Sequence, residues 1–298
     1  MRSSLLLALA LVAGCTAAPE GPRAPSDDRP LSAVTAALRP LDPCLLGATA
    51  GLNQVALGPH RCRFEGQGGA DYLFLVVGAQ FDQATRDAHE EIALDGARGY
   101  RRSLDTGCQV AIPVGADLAI RVTSETGRTS QRTQRNRCDD ATAAAKTVVG
   151  RLARPESVST DSRRDACDLL HRAAGNRLDG LELRFDEANY GLDNCQARRA
   201  VPGGWEQVYL VQLRYGRPAP SQDRLNGREV TITRARDCEY AWTAGPSGSP
   251  FPDLGDLVIR VRAPDCGTAA ELAPAVLDTY RTDPPQVAPQ RPIAVPGS

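Results

Sequence analysis

The chain has 298 residues, a formal net charge of −1 and 24% charged residues. This balance gives no broad positive field, so we expect no nucleic-acid partner and no electrostatic attachment to a membrane surface. It contains no run of the roughly 20 apolar residues that a membrane-spanning helix needs. The length suits two domains of modest size.

The first segment, residues 1–14, predicts an export signal. Arg2 gives a positive start, residues 5–12 are apolar, and two small residues precede Cys15. The junction Leu-Val-Ala-Gly-Cys at 11–15 resembles the bacterial lipobox, which implies that Cys15 becomes a lipidated N-terminus carrying palmitate-type chains. Two or three acyl chains anchor a protein stably, so we expect a lipoprotein on the outer face of the cytoplasmic membrane. The alternative is ordinary secretory cleavage that leaves a free cysteine.

Eight cysteines remain after Cys15. An even number in an exported chain predicts disulfides, since the compartment is oxidising. Metal ligation fits poorly because the cysteines are far apart and the three histidines show no ligand spacing, so we expect neither metal nor cofactor. The eight are Cys44, Cys62, Cys108, Cys138, Cys167, Cys195, Cys238 and Cys266.

These cysteines form two sets of four with similar spacing, which indicates an internal repeat. The residues around them agree: Asp42-Pro43-Cys44 parallels Asp165-Ala166-Cys167, and two β-rich segments recur. The matching segments are 72–77 with 208–213 and 117–122 with 256–261. Alternating apolar residues identify them as strands. Each copy therefore reads as a helix, antiparallel strands and a helix, an α+β domain.

The longest predicted helices, residues 139–152 and 268–280, follow the last cysteine of each copy. Asp139 and Asp140 could cap the first of these helices, and Gly267 and Thr268 could cap the second. A shorter helix should follow the first cysteine of each copy. The first copy has a further helical candidate at 81–94, whose counterpart at 217–225 contains prolines and predicts a loop.

The resulting organisation has six segments. They are a signal peptide (1–14), a flexible tether (15–31), a first domain (32–154), a linker (155–163), a second domain (164–283) and a Pro-rich disordered tail (284–298). Four cysteines allow three pairings in each domain. We favour Cys44 with Cys62, Cys108 with Cys138, Cys167 with Cys195, and Cys238 with Cys266.

The ordered set of a lipobox, a Pro-rich tether, an Asp-Pro-Cys opening and a final cysteine before an Ala-rich helix resembles a known family. It is similar to the actinobacterial cell-envelope lipoprotein domain of unknown function, here in two copies. The resemblance implies a layout like the extracellular sensor domains of actinobacterial receptor kinases and a binding role, and it carries no catalytic residue. The scarcity of lysine, with Lys146 alone, is also typical of a GC-rich genome.

Catalytic motifs are not assembled in the sequence. The acidic pairs Glu90-Glu91 and Asp139-Asp140 are adjacent, so they do not face each other on a helix, and we interpret them as a solvated helix face and a cap. Two features could bind ligands: an arginine-rich polar stretch before Cys138, suited to phosphate or carboxylate groups, and Trp205 beside two glycines. The arginines are Arg128, Arg132, Arg135 and Arg137.

The sequence therefore predicts a non-enzymatic, membrane-tethered binding or sensor-like module that recognises an envelope glycan, lipid, peptide or partner protein. One alternative is an envelope hydrolase or transferase whose carboxylates converge only in the fold. Another is an architectural spacer without a ligand.

Overall fold

The structure, a computed structural model, describes residues 29–49, 51–66, 71–126, 133–159, 164–186, 189–217, 223–225, 227–246 and 255–282. Within these ranges the chain forms two tandem α+β domains, each built on a seven-stranded antiparallel sheet. The predicted signal peptide, Cys15, nearly all of the tether and the Pro-rich tail lie outside the described residues.

The first copy combines short N-terminal helices, a sheet and one long helix. Its helices are α1 (Leu31–Leu38), α2 (Pro43–Gly47), α3 (Gln83–Asp87) and α4 (Gln134–Leu152). Its strands are β1 (Asn53–Gly58), β2 (Arg61–Glu65), β3 (Asp71–Gln80), β4 (Glu90–Leu94), β5 (Ala97–Ser103), β6 (Gly107–Gly115) and β7 (Leu118–Thr126). A 3₁₀ turn, Pro155–Ser157, lies in the predicted linker.

The second copy repeats this order without a counterpart of α3 among its described residues. Its helices are α5 (Ala166–Ala174), followed by the 3₁₀ turn Gly175–Leu178, and α6 (Cys266–Thr282). Its strands are β8 (Glu182–Asp186), β9 (Gly191–Val201), β10 (Gly204–Gly216), β11 (Asp223–Leu225), β12 (Arg228–Arg234), β13 (Cys238–Pro246) and β14 (Asp256–Ala263).

Strand order and register are the same in the two sheets. The first runs β1-β2-β3-β7-β6-β5-β4, and the second, read from the matching edge, runs β8-β9-β10-β14-β13-β12-β11. Cys62 lies opposite Leu75, and Cys195 lies opposite Val211. The tandem duplication predicted from the sequence is confirmed, and the strand segments that it matched are equivalent in the fold.

A long helix covers one face of each sheet. In the first copy α4 buries Ala141, Ala145, Val148 and Leu152, which recur at helical spacing, against β6 and β7. In the second copy α6 packs in the same way on β13 and β14. Within the described ranges, no long helix covers the opposite face of either sheet. Polar side chains can therefore come together on that face.

Four disulfides attach helices to strands. They join Cys44 with Cys62, Cys108 with Cys138, Cys167 with Cys195, and Cys238 with Cys266, the pairs that the sequence analysis favoured. Each bridge closes a loop of 18 to 30 residues within one copy. Loops of this size give about 3 kcal/mol of stabilisation apiece.

Helix starts differ from the prediction, and capping explains why. Thr133 caps α4 by accepting a hydrogen bond from the backbone N–H of Asn136, so the helix begins before Asp139 and Asp140, which lie inside it. Asp265 rather than Gly267 or Thr268 caps α6, since its Oδ1 accepts from the N–H of Thr268 at 2.9 Å. The predicted cap residues were therefore wrong for both long helices.

The predicted helix at 81–94 is also wrong beyond its first turn. Only Gln83–Asp87 is helical, and Glu90–Leu94 forms β4, paired with β5 through a turn at Asp95 and Gly96. Both turn residues have positive φ, 45° and 98°, as a two-residue hairpin requires. Glu90 and Glu91 therefore lie on an exposed strand rather than a helix face. In the second copy Asp223–Leu225 is a strand, not part of a loop.

The two copies contact each other through equivalent elements. β1 contacts β10 while its counterpart β8 contacts β3, the pattern of an isologous interface within one chain. At its centre His60 and Asp193, both fully buried and each two residues before a strand cysteine, are 2.8 Å apart from Nδ1 to Oδ1. The carboxylate also accepts from the backbone N–H of His60 and from Nε of Arg61, at 3.1 and 3.2 Å.

Small residues permit this close approach. Gly58 and Gly191 occupy equivalent positions in the two copies, and a Cβ at Gly58 would collide with the carboxylate of Asp193. A Cβ at Gly191 would collide with the carbonyl oxygen of Val77. A second ion pair, Arg39 to Asp165 at 2.6 Å, joins the first copy to the N-terminus of α5. The interface is thus both closely packed and charged.

Candidate functional site

A polar cleft of about 520 Å³ lies on the face of the first sheet opposite α4. Its floor consists of the side chains of Gln109, Arg121 and Thr123, which are buried although polar. They share this face because successive residues of a strand alternate between faces, while the neighbours Val110 and Val122 pack toward α4. Polar side chains that converge in a cleft on an uncovered sheet face can bind a ligand.

One wall of the cleft is α3, which a small aromatic cluster holds on the sheet. Phe81 is fully buried, and its ring lies 5.4 Å from those of His89 and Tyr100, centroid to centroid. His89 contacts the carbonyl oxygen of Thr85 through Nδ1 at 2.6 Å and Oε1 of Gln109 through Nε2 at 3.3 Å. The imidazole thereby links α3 to the cleft floor.

The second copy completes the opposite wall. Asn189 lines the cleft, and the neighbouring Tyr190 ring lies 4.2 Å below the guanidinium of Arg61. Arg184 donates to Oδ2 of Asp82 at 2.7 Å, which ties the second copy to the start of α3. The cleft is therefore a product of the duplication, because neither copy alone supplies all of its walls.

Two carboxylates border the cleft, with opposite electrostatic behaviour. Hydrogen bonds from the backbone and hydroxyl of Thr85, aided by Arg184, lower the pKa of Asp82 from 3.8 to about 2. Burial raises the pKa of Glu125 above its ordinary value of 4.5. Asp82 is thus committed to capping α3, whereas Glu125 is a half-buried acid without a side-chain partner among the described residues.

Arg102 supplies a positive charge at the mouth of the cleft. It is exposed on β5, beside Gln109 in the register of β5 and β6, and its guanidinium makes no hydrogen bond or ion pair with any residue that the structure describes. A guanidinium with free donors can bind a carboxylate or phosphate bidentately. The cleft thus combines a cation, amides, a hydroxyl and a protonatable acid, which suits a polar ligand with an anionic group.

A second, apolar cleft of about 320 Å³ lies on the other face of the same sheet, between α4 and the strands β2 and β3. Phe64, Tyr72 and Leu73 form one side, and small residues of α4, including Ala143 and Ala144, form the other. Thr49 and Leu52, which follow α2 in the chain, also line the cleft. The sheet of the first copy therefore has a cleft on each face, and the two clefts differ in chemistry.

The predicted binding residues that the structure describes, Arg135, Arg137 and Trp205, line neither cleft. Arg128 and Arg132 fall outside the described residues; Arg135 and Arg137 lie in the first turns of α4 and not in a loop. Trp205 stands near the start of β10, 53% exposed, with the Arg198 guanidinium 4.3 Å from its ring centroid. The buried Trp242 and Tyr240, by contrast, belong to the core.

Sequence reasoning missed the cleft residues because they come from strands and a hairpin distant along the chain. Arg102, Gln109 and Thr123 carry no motif spacing and become neighbours only through strand pairing. One signal was available: Asp95-Gly96 is a strong hairpin pair, and it would have placed the second half of 81–94 in a strand.

Within the described part of the chain, no group of His, Cys, Asp and Glu side chains could hold a metal ion. None of its helices is long and apolar enough to cross a membrane.

Comparisons with known proteins assign no family. No family model matches the chain, and no curated protein is significantly similar to it. Among solved structures, the di-domain ARO/CYC StfQ from the steffimycin biosynthetic pathway aligns with 84% of this chain and 92% of its own, at 12% identity and a TM-score of 0.18. DynU16 from the dynemicin biosynthetic locus aligns with 83% and 91%, at 10% identity and a TM-score of 0.18. At such TM-scores neither likeness carries an argument.

Proposed function

We propose that the chain is a lipid-anchored, non-catalytic binding module of the bacterial cell envelope, of the actinobacterial lipoprotein type. The polar cleft at the junction of the two copies carries this proposal. It gathers Arg102, Gln109 and Thr123 in one cavity and draws Asn189 from the second copy. Ligand sites in general are concave, with a few convergent polar groups, and they occur preferentially between domains.

The chemistry of the cleft points to a polar envelope fragment that carries hydroxyls, amides and a carboxylate. Arg102 can bind the carboxylate, while Gln109 and Asn189 can exchange hydrogen bonds with amides and hydroxyls. Soluble peptidoglycan fragments combine these groups. They are the ligand class that we assign to the cleft, in preference to a partner protein.

Calorimetric titration of such fragments into the full mature chain tests this assignment. Arg102→Ala should weaken binding about tenfold, because it removes a charge-assisted contact. Arg98→Ala is the matched control, since Arg98 is exposed on the same strand but does not line the cleft. Equal affinities for the wild type and Arg102→Ala would contradict the assignment, as would a complete lack of binding.

The lipid anchor rests on the lipobox resemblance at Cys15 and on the export signal before it. Labelling of cells with radioactive palmitate should mark the wild-type chain and not Cys15→Ala. The labelled protein should partition with membranes and remain accessible to protease from outside the cytoplasm. Absence of label in the wild-type chain would contradict the lipid anchor. It would not bear on ligand binding in the polar cleft.

A second candidate, an envelope hydrolase or transferase, is favoured by one observation. Burial raises the pKa of Glu125, and a general acid needs a carboxyl that holds its proton toward neutral pH. Chromatography of the fragments after incubation decides between the two functions: unchanged fragments support binding alone. Products that form with the wild type and not with Glu125→Gln would establish catalysis.

A further inference from the structure

The apolar cleft of the first copy lies beside a position of α4 whose equivalent in the second copy holds a larger, buried side chain. Counting from Cys138 in α4 and Cys266 in α6, Ala144 is equivalent to Leu272. Leu272 is fully buried, whereas Ala144 lines the cleft. Alanine in place of leucine removes most of a side chain from this helix position, while on the facing strand Phe64 is larger than its equivalent Ala197.

A difference in the preceding helix adds to this effect. α5 continues for nine residues and into a 3₁₀ turn, burying Ala174 and Leu178, while α2 has five residues and ends at Gly47. A Cβ at Gly47 would lie 2.6 Å from the ring of Phe64, so this glycine leaves room for the ring beside the cleft. Copies with the same fold and the same disulfides thus differ here: the long helix buries a leucine in one, and an open cleft lies beside an alanine in the other.

The lining indicates what can occupy the cleft. Its volume of about 320 Å³ lies at the lower end of the range of small-molecule sites. Leu52, Phe64 and Leu73 offer apolar surface, and the remaining described lining residues include hydroxyl groups, the carboxylates Asp71 and Asp140, and neither Arg nor Lys. No described lining side chain offers an anionic head group a counter-charge, and the guanidinium of Arg63, which lies over the Tyr72 ring, is paired with Glu65. Hydroxyl groups would find acceptors.

From these features we infer that the apolar cleft binds an alkyl chain with an uncharged, hydroxylated head, such as the end of a neutral envelope lipid. The site is on the opposite face of the sheet from the polar cleft and does not depend on the proposed function. The alkyl chain of the ligand contacts Phe64, Leu73 and Ala144 inside the cleft. The hydroxyl group of the ligand lies at the rim, near Asp71 or Asp140.

Displacement of the fluorescent probe N-phenylnaphthylamine from the full mature chain tests this inference with two competitors of equal chain length. The neutral n-octanol should displace the probe at concentrations about tenfold lower than octanoate does, because the cleft offers the carboxylate no cation. Equal potency of the two compounds would overturn the head-group assignment. Failure of both to bind would overturn the site itself.

Ala144→Leu places in the first copy the side chain that the second copy has. It should weaken n-octanol binding about tenfold or more, because the added side chain occupies the volume that the alkyl chain needs. Ala275→Leu is the matched control, the same change at a half-exposed position of α6, and should leave binding unchanged. A folded Ala144→Leu variant with wild-type affinity would contradict the proposal.

A measurement on the unaltered protein keeps the test decisive if Ala144→Leu fails to fold. Nuclear Overhauser effects between the methylene protons of n-octanol and the ring protons of Phe64 and Tyr72 should appear on binding. Contacts to other aromatic rings, without contacts to these two, would place the ligand elsewhere and refute the inference.

Discussion

Equivalent positions in the two copies hold side chains of different size and charge, and the space around them differs accordingly. Ala144 lines a cleft where Leu272 is buried. On the opposite face, the neutral Gln109 stands where the second copy has Glu239, whose carboxylate binds Arg260 and Arg262 at 3.3 and 3.1 Å. In the second copy the carboxylate and the two guanidinium groups therefore pair with one another.

This comparison separates what duplication preserved from what it changed. The disulfide pattern and strand register are the same in both copies, because they determine whether each domain folds. Side chains on the two sheet faces have diverged, and both clefts that we describe lie on the first sheet. The second copy contributes Asn189 to the polar cleft.

The largest expected effect on stability comes from breaking the buried contact between the two copies. Asp193→Ala removes the partner of His60 and Arg61 from a fully buried site and should lower the free energy of unfolding by about 3–5 kcal/mol. Urea unfolding should then show two transitions, one for each copy. Glu206→Ala, which breaks an exposed pair with Arg199, should change stability by less than about 1 kcal/mol. A single transition at wild-type stability would show that this contact does not couple the copies.

Equivalent disulfides should contribute equally. Replacing Cys108 and Cys138 by Ala, or Cys238 and Cys266 by Ala, opens loops of 30 and 28 residues. Each double variant should lose about 3–4 kcal/mol, because the entropy of the unfolded chain increases by similar amounts. Thermal unfolding of the two variants side by side measures this. A difference of more than about 2 kcal/mol would mean that the copies depend unequally on their bridges.

Leu272→Ala gives the second copy the residue that the first copy has at the equivalent position, and so measures how much stability the missing side chain removes. Leu272→Ala should destabilise the chain by about 3 kcal/mol, since a buried leucine is lost and its space is only partly refilled. Leu31→Ala, at a residue 47% exposed, should cost well under half of that. Denaturant unfolding checks both variants. A near-neutral Leu272→Ala would show that helix α6 collapses onto the sheet and that the two copies differ less than their packing suggests.

The smallest effect concerns pH and is specific to α3. The pKa of Asp82 is depressed from 3.8 to about 2, so its stabilisation is present above pH 4 and is lost as pH falls toward 2. Because the carboxylate is partly exposed, we expect about 1 kcal/mol after allowance for solvent screening. Unfolding of wild type and Asp82→Asn between pH 2 and 6 should converge at the acid end. Parallel curves across this range would contradict the assignment.

Local rules in the sequence predicted the elements whose own residues decide them. Alternating apolar residues identified the strands that contain Ile120 and Ile259, and the spacing of the cysteines indicated the duplication. The helix expected at 81–94 failed because Glu90–Leu94 has helical residue types but gains strand pairing with β5. Tertiary contacts overrode propensity there, and only the Asp95-Gly96 turn signalled the outcome.

The clefts could not be predicted from the sequence. Gln109 and Thr123 are ordinary strand residues until register places them side by side, and Asn189 reaches the polar cleft only through the interface between copies. The apolar cleft depends on a missing side chain at Ala144, and an alanine in a helix carries no sign of the space beside it. Its significance emerges from comparison with Leu272.

The contact between His60 and Asp193 constrains how the two halves can associate. The two residues sit at corresponding places, so a self-association of first halves through this surface would oppose two histidines, and one of second halves would oppose two aspartates in a buried setting. Like groups so placed repel each other when charged. Each half is therefore complementary to the other and not to itself, and joining them in one polypeptide supplies the partners at equal stoichiometry.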